Sequence, residues 1–332
     1  MYATANKKML NMLILDILKN YSDENHKLTQ QEIMRLLKSI YDMSCDRKSV
    51  RNNINYLKEL GYEISTEGGY YLMTREFDDA ELRMLIDSVL FSKTLSQKQA
   101  KSLIEKLSSL GNRYFNSNSK YICNLPELHH SDNKQLMYAL DTINDAIAEK
   151  KKISFIYNNY GEDLHLHPRR EEPYIVNPYQ IVANNGFFYL IGNYDKYDNV
   201  SHYRLDKMTC VKVLEDKVKP KNQVSEFKNG YSLPKHMAEH IYMFSGQSVR
   251  VLFKIEEELI GEVIDWFGKD FLITGKSEGM LSISVKCNEN AMFFWALQYG
   301  PYVEVMEPVS LRNRMSDEIG KMCKKYSKVE GG

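Results

Sequence analysis

The sequence has few cysteines and prolines and no excess of charge of either sign. Its five cysteines are odd in number and no two form a CxxC pair, which argues against a disulfide framework and a structural zinc knuckle. With eight prolines in 332 residues, long proline-rich linkers are absent. The 44 Lys and Arg balance the 44 Asp and Glu, so bulk charge cannot bind nucleic acid, although a local basic patch can.

Long apolar runs and common catalytic motifs are also missing. No stretch reaches the roughly 18 apolar residues of a membrane-spanning helix, and Asn11 and Asp16 interrupt the first apolar run, which argues against a signal peptide. We find no glycine-rich phosphate loop, no GxSxG and no HExxH. We therefore expect a cytoplasmic protein with reduced cysteines and no membrane partner. We predict no catalytic residue and no cofactor.

The N-terminal part predicts three helices followed by a hairpin. After a first amphipathic stretch, the capping-box pair Thr29 and Glu32 opens a second helix. Asp46 is placed to cap a third helix that ends at Gly61, and two alternating strands flank Gly68-Gly69. This order of elements predicts a winged helix-turn-helix domain.

Strand patterns dominate the middle of the chain. Six short runs between residues 153 and 214, separated by turn signals, predict a small β-barrel of the Sm-like or SH3-like type. The last part reads strand, helix, strand, strand, helix, strand, helix, which predicts a ferredoxin-like sandwich with an appended helix. A length of 332 residues is itself typical of two or three domains.

The sequence therefore predicts a multidomain α+β protein. Its predicted segments are a winged helix-turn-helix (1–75), a helical linker region (76–133), a β-barrel (134–215), a second linker (216–247) and a ferredoxin-like α/β sandwich (248–328).

The third predicted helix has a face suited to DNA. With Val50, Ile54 and Leu57 turned inward, the opposite face carries basic and amide side chains that suit phosphates and base edges. A solvated helix face would show the same pattern, but the preceding helix and the hairpin favour DNA binding. The predicted DNA-binding residues are Arg47, Lys48, Ser49, Arg51, Asn52 and Asn55, with Tyr70 at the base of the wing.

The middle module places tyrosines beside cationic side chains, a combination that suits stacked bases and phosphates. His202 and Arg204 stand two residues apart on a predicted strand, so we expect them on one face. Alternatively, the tyrosines pack the sheet and Arg204 pairs with a structural carboxylate, since residues 134–215 contain ten Lys and Arg against eleven Asp and Glu. The predicted effector-binding residues are Tyr157, Arg169, Tyr179, Tyr189, His202, Arg204 and Lys207.

Two histidine pairs have spacings that could hold a metal ion. His165 and His167 alternate on a strand, and His236 and His240 stand four apart on a predicted helix. Neither pair has a third ligand at a recognisable spacing. Surface or packing roles are therefore the preferred interpretation, and no metal site is predicted.

Several runs resemble those of bacterial WYL-domain transcription regulators. Cys45–Ile54 and Gly69–Leu72 are similar to their winged helix, and Phe188–Leu190 stands where the family has Trp-Tyr-Leu. Pro178-Tyr179 stands before that run, and Tyr203–Met208 resembles the family's Phe-Arg-Leu-Asp-Arg-Ile. The last part resembles the C-terminal extension (WCX) that these proteins carry, so the resemblance covers nearly the whole chain.

This resemblance implies a homodimeric regulator that binds a double-stranded DNA operator through its winged helix. It also implies that the WYL domain binds an effector of the nucleotide or single-stranded nucleic acid type. Two places depart from the family pattern. Phe188 replaces the tryptophan, and Asn52-Asn53 replace the Arg-Asp of many members, so we expect a different operator preference.

A nucleic-acid-processing or defence-associated protein is the alternative function. In such a protein the winged helix would only dock the substrate. An acidic metal cluster would then be needed, and the sequence does not show one.

Overall fold

The computed structural model describes residues 7–118, 135–228 and 230–326. The chain divides into two compact units, residues 1–132 and 133–332. Helices and strands occur in both units, which confirms the predicted mixed α+β class. Residues 119–134, which include the end of the predicted helical linker region, lie outside the described residues, as do residues 327 and 328 of the predicted C-terminal segment.

The first unit consists of helices and one small antiparallel sheet. In chain order its described elements are α1 (Leu10–Tyr21), α2 (Gln30–Tyr41), α3 (Arg47–Glu59), β1 (Ile64–Ser65), β2 (Tyr71–Leu72), α4 (Asp79–Phe91), α5 (Gln97–Ser108) and α6 (Arg113–Asn118). Thr29 and Glu32 form the predicted reciprocal capping box at the start of α2. The Asp46 carboxylate accepts a hydrogen bond from the Ser49 N–H at the start of α3, which confirms the predicted cap.

Helices α1 to α3 and the hairpin share one apolar core. Its members include Ile14, Leu37 and Ile54, all at most 1% exposed, and Leu72 of β2. The hairpin pairs Ile64 with Leu72, and a separate bridge between Leu28 and Tyr70 ties it to the chain just before α2. The hairpin is therefore held beside the helices and does not project on its own.

Helices α4 to α6 occupy the segment that the sequence predicts as a helical linker region. Leu82, Ile86 and Phe115 form a small buried cluster of their own. The Asn112 side chain accepts hydrogen bonds from the backbone at the start of α6 and donates to the Asp23 carboxylate, 2.9 Å away. This segment is therefore packed as well as helical.

The second unit contains two sheets with helices. In chain order its described elements are α7 (Leu136–Glu149), β3 (Lys151–Tyr160), β4 (Leu166–Pro168), β5 (Tyr174–Asn184), β6 (Phe187–Tyr194), β7 (Ser201–Arg204), β8 (Met208–Lys217), α8 (Leu233–Glu239), β9 (Ser248–Glu256), α9 (Ile260–Phe267), β10 (Leu272–Ser277), β11 (Met280–Asn288), α10 (Glu289–Gln298), β12 (Val303–Glu307) and α11 (Val309–Tyr326).

The first of these sheets is strongly curved around β3. This strand pairs with β8, with β5 through its first half and with β4 through its second half. Strands β6 and β7 follow β5 in the order β4-β3-β5-β6-β7. Register shifts between Pro178 and Gln180, and twice along β3, add local twist. Helix α7 contributes Leu136, Ala139 and Ile143 to the interior.

The second sheet is antiparallel, with the strand order β10-β11-β9-β12. Its elements follow the order that the sequence predicts. Alternate residues of β9 (Val251, Phe253 and Ile255) are fully buried, as expected for a strand with one face in a core. Trp295 of α10 packs on Phe253 and Phe267 in that core.

The segment 216–247, predicted as a linker, also contributes to a core. Val224, Phe227 and Met243 are buried against Tyr179 and Ile191 of the first sheet. Outside the short helix α8, its apolar residues are irregularly spaced, so no helix or strand period indicates their burial. They are buried because that sheet offers an apolar surface for them to cover.

Among the described helices, none is long and apolar enough to cross a bilayer. The four described cysteines, Cys45, Cys210, Cys287 and Cys323, are free thiols, and Cys123 lies outside the described residues.

Candidate functional site

Helix α3 presents most of the predicted DNA-binding side chains to solvent. Arg47, Lys48, Arg51 and Asn55 are exposed, whereas Ser49 and Asn52 are half-buried. Within the described parts of the chain, Arg47 and Arg51 form no ion pair. Both guanidinium groups therefore remain available for an anionic partner.

The hairpin creates an open cleft beside the start of α3. The cleft is lined by residues at the start of α2 and by Arg47, Thr66, Gly68 and Tyr70. The Gln30 side chain donates a 3.0 Å hydrogen bond to the Tyr70 hydroxyl, which fixes the tyrosine at the base of the hairpin. The cleft brings the predicted residues Arg47 and Tyr70 to one surface.

The hairpin tip depends on glycine. Gly68 and Gly69 have φ angles of +70° and +134°, and a Cβ atom on Gly69 would lie 2.8 Å from the Cβ of Lys27. Lys27 also donates a 3.1 Å hydrogen bond from its ammonium group to the Glu67 carbonyl at the tip. Sequence reasoning missed Lys27 and Gln30, because their place beside the hairpin comes from the Leu28–Tyr70 bridge between distant residues.

Arg204 and Asp206 form a two-point ion pair in the second unit. Arg204 Nε lies 3.1 Å from Asp206 Oδ1, and Nη2 lies 2.7 Å from Oδ2. The Asp206 side chain is 2% exposed and that of Arg204 is 26% exposed. The guanidinium carbon also lies 3.5 Å from the centre of the Phe187 ring. The arginine is thus held in one place, with much of its charge compensated.

Two predicted tyrosines lie beside this pair. The Arg204 N–H donates a 3.2 Å hydrogen bond to the Tyr157 hydroxyl, and Tyr189 is the partner of Arg204 across strands β6 and β7. Burial raises the pKa of both phenols, so both remain protonated donors at neutral pH.

Lys207 adds a second cation. Burial is the main reason that its pKa is lowered, and the nearby charges of Arg204 and Arg169 lower the pKa further, whereas Asp206 opposes the shift. In the described ranges, neither Lys207 nor Arg169 forms an ion pair. The side chains of Arg169, Arg204 and Lys207 therefore provide three cations beside the single Asp206 carboxylate and several aromatic rings. This is a favourable environment for an anion.

Residues 138–213 match the family model for the WYL domain. This region is a WYL domain. It comprises the curved sheet up to β8 and most of α7, and it contains all seven predicted effector-binding residues.

No protein with a curated description matches the chain. Among solved structures, proteasome accessory factor B/C (PafBC) of Arthrobacter aurescens is 14% identical, with a TM-score of 0.32 and 98% of this chain covered. The chain spans 50% of the length of that PafBC chain. A CRISPR Cas-related protein is 15% identical, with a TM-score of 0.41 and coverage of 100% of this chain and 89% of the other. Likenesses this weak establish neither a fold nor a function.

The WYL domain does not bring all seven predicted residues together. Tyr157, Tyr189, Arg204 and Lys207 are neighbours, and the charge of Arg169 reaches Lys207. Tyr179 is instead buried, where its hydroxyl donates a 2.8 Å hydrogen bond to the Lys219 carbonyl and its ring packs on Phe227.

His202 also has neighbours different from those expected. Its ring contacts His236 and His240, whereas Arg204 packs on Phe187. Strand alternation alone predicted a shared site for His202 and Arg204. However, β7 ends at Arg204, and each side chain meets a different part of the chain there.

The two histidine pairs differ in burial. His165 and His167 are exposed, and His167 pairs with Asp163 at 2.8 Å. His236 and His240 are buried beside the Glu226 carboxylate, a third group that sequence spacing did not reveal.

Replacement of Arg204 by alanine should destabilise the WYL domain. The Asp206 carboxylate would lose its two-point partner while buried, which should lower the free energy of unfolding by about 2 kcal/mol or more. Lys207→Ala is the matched control and should cost less than about 1 kcal/mol, because it removes a cation that Arg204 repels. Urea denaturation followed by circular dichroism measures both. Equal stability of the two variants would contradict a structural role for the ion pair.

Proposed function

We propose that this protein is a cytoplasmic transcription regulator that binds DNA through its first unit and an effector through its WYL domain. The observation that best supports DNA binding is the outer face of α3. There, Arg47 and Arg51 are exposed and form no ion pair among the described residues, and Arg47 lines the cleft at the hairpin. We assign α1 to α3 with β1 and β2 to a winged helix. In this arrangement α3 enters the major groove and the Gly68-Gly69 tip lies along the phosphate backbone.

The WYL domain suits an effector that combines a phosphate with an aromatic base. Lys207 and Arg169 provide positive charge without ion pairs, and Tyr157 and Tyr189 provide phenol donors and ring surface. Stacked rings beside cations are the usual features of sites for single-stranded nucleic acid and nucleotides. In this proposal Arg204 serves chiefly to hold the site in shape.

We assign the curved sheet to an Sm-like barrel and the second sheet to a ferredoxin-like C-terminal extension. Reading a symmetric operator requires two recognition helices, so we propose a homodimer. Apolar side chains suited to such an interface are exposed on β10 (Leu272 and Ile273) and on α4 (Met84 and Phe91).

The effector would act by a population shift. An effector that binds one arrangement of the dimer more tightly than another favours that arrangement in proportion to the difference in affinity. The spacing of the two α3 helices, and hence operator affinity, would then depend on the effector concentration. The protein would thus act as a regulator and would not catalyse a reaction.

Arg51→Ala should weaken binding to the operator. After bound sites are selected from random duplexes, fluorescence anisotropy should show a loss of about 1–3 kcal/mol if Arg51 contacts a base. A phosphate contact would instead weaken specific and random duplexes equally, with a salt slope lower by about 1.

Arg250→Ala is the matched control for that experiment, because it removes the same charge from an exposed position on β9. It should leave DNA affinity nearly unchanged. If Arg51→Ala binds every duplex as tightly as the unmodified protein does, α3 is not part of the DNA interface.

Lys207→Gln should weaken effector binding without unfolding the WYL domain. Short labelled single-stranded oligonucleotides and ATP are suitable probes, and loss of one phosphate contact should reduce the salt slope for the oligonucleotide by about 0.7. Lys212→Gln, at an exposed position on β8, removes the same charge as a control and should bind normally. Equal affinities of the two variants, or no binding of either probe by the unmodified protein, would argue against this effector site.

The molar mass of the protein in solution should reveal the proposed dimer. One chain weighs 38.8 kDa, so light scattering after size exclusion should give about 78 kDa at micromolar concentration. A mass of one chain, both with and without operator DNA, would contradict the proposed pairing of recognition helices.

A further inference from the structure

Three histidines and one glutamate form a cluster that the proposed function does not use. His202 comes from β7, Glu226 from a short turn of 3-10 helix, and His236 and His240 from α8 and the residue that caps it. The metal-binding atoms of Glu226, His236 and His240 lie within 4.8 Å of one another. His202 extends the cluster, because its Nε2 atom lies 2.8 Å from Nε2 of His236.

Two of the three histidines are buried, since His236 and His240 are 8% and 2% exposed. Imidazole nitrogens that are removed from water need another partner, and a metal ion can be that partner.

Hydrogen bonds orient the pair His240 and Glu226. His240 Nδ1 lies 3.0 Å from the Phe244 carbonyl, which can only accept, so Nδ1 carries the proton and Nε2 carries a lone pair. The Val200 N–H donates to Glu226 Oε1 at 3.1 Å. Nε2 of His240 then lies 3.7 Å from Oε2 of Glu226. Two acceptors that face each other need a proton or a cation between them.

A purely packed cluster explains this arrangement less well. Within the described residues, His202 Nδ1 is buried without a hydrogen bond of normal geometry, although the Phe244 carbonyl is near enough to influence the ring. Histidines that bind a metal ion usually donate their other ring N–H to an acceptor such as a backbone carbonyl, as His240 does to Phe244.

We propose that Glu226, His236 and His240 bind a divalent transition-metal ion, best matched by zinc, with His202 as the fourth ligand. Zinc takes nitrogen and oxygen ligands at about 2.0–2.1 Å in a tetrahedron, which places neighbouring ligand atoms about 3.3 Å apart. The observed 2.8 Å and 3.7 Å separations lie on either side of that distance. The ligand atoms of Glu226, His236 and His240 lie within 4.8 Å of one another, so small side-chain movements would bring these three to an ion, and His202 lies beside His236.

Such a site would be structural, because four protein ligands leave no open position for a substrate. His202 belongs to the WYL domain, whereas the other three ligands belong to the segment that follows it. The ion would therefore fasten this segment to β7. Metal binding would stabilise the contact that leads from the WYL domain toward the C-terminal sheet.

The test uses the chain purified without a histidine tag, stripped with a chelator and reloaded with zinc alone. Elemental analysis after dialysis should find one zinc per chain, and zinc should raise the melting temperature. Cobalt(II) should give the visible absorption of a tetrahedral site.

His236→Gln and Glu226→Gln should each weaken zinc binding about tenfold or more. The second variant keeps an acceptor for the Val200 N–H and serves if the first fails to fold.

The double variant His165→Gln/His167→Gln is the control, since it removes an exposed histidine pair of the same domain. It should retain full zinc binding. Zinc content well below one per chain in the unmodified protein would overturn the proposal. So would loss of zinc in the control variant with retention in Glu226→Gln.

Discussion

The arrangement of the cations in the WYL domain depends on one interaction, the ion pair between the buried Asp206 carboxylate and Arg204. A carboxylate that is almost fully removed from water must be paired, and the planar fork of Arg204 supplies two N–H groups to its two oxygens. The same residue donates its backbone N–H to Tyr157, and Asn158 donates to the Lys207 carbonyl at 2.9 Å. The turn after β7 is therefore fixed at both ends, and this fixes where Lys207 lies.

Burial separates the ionisable groups of this protein into two kinds. On α3, Arg47 and Arg51 stay in water, where an unpaired cation costs little and remains available to DNA. Around His236 and His240, water is largely excluded, so a polar group there needs another partner. A surface of the first kind favours a large charged partner, whereas a pocket of the second kind favours a small ion that supplies the missing charge.

Local features could be predicted from the sequence with good accuracy. Three such features are the capping box at Thr29, the cap at Asp46 and the hairpin around Gly68-Gly69. Each depends on residues only a few positions apart, so a short stretch of sequence contains all the groups that form it. The inward stripe of Val50, Ile54 and Leu57 follows from helical spacing in the same way. These features fix the outward direction of the α3 side chains.

Contacts between distant segments could not be predicted in this way. Tyr179 and His202 were assigned to the effector site by residue type and strand alternation, but segment 216–247 covers both of them. Outside the short helix α8, that segment shows no helix or strand period, so its burial cannot be predicted before the sheet that it covers is known.

The sequence by itself determined the order of most helices and strands, the caps, the hairpin and the resemblance to WYL regulators, because each of these depends on neighbouring residues. Only the tertiary structure decided that Arg204 pairs with a buried Asp206 and that Glu226 joins the histidines. A buried charge pairs with whichever groups lose water together with it. Which groups these are depends on how segments far apart in the chain pack.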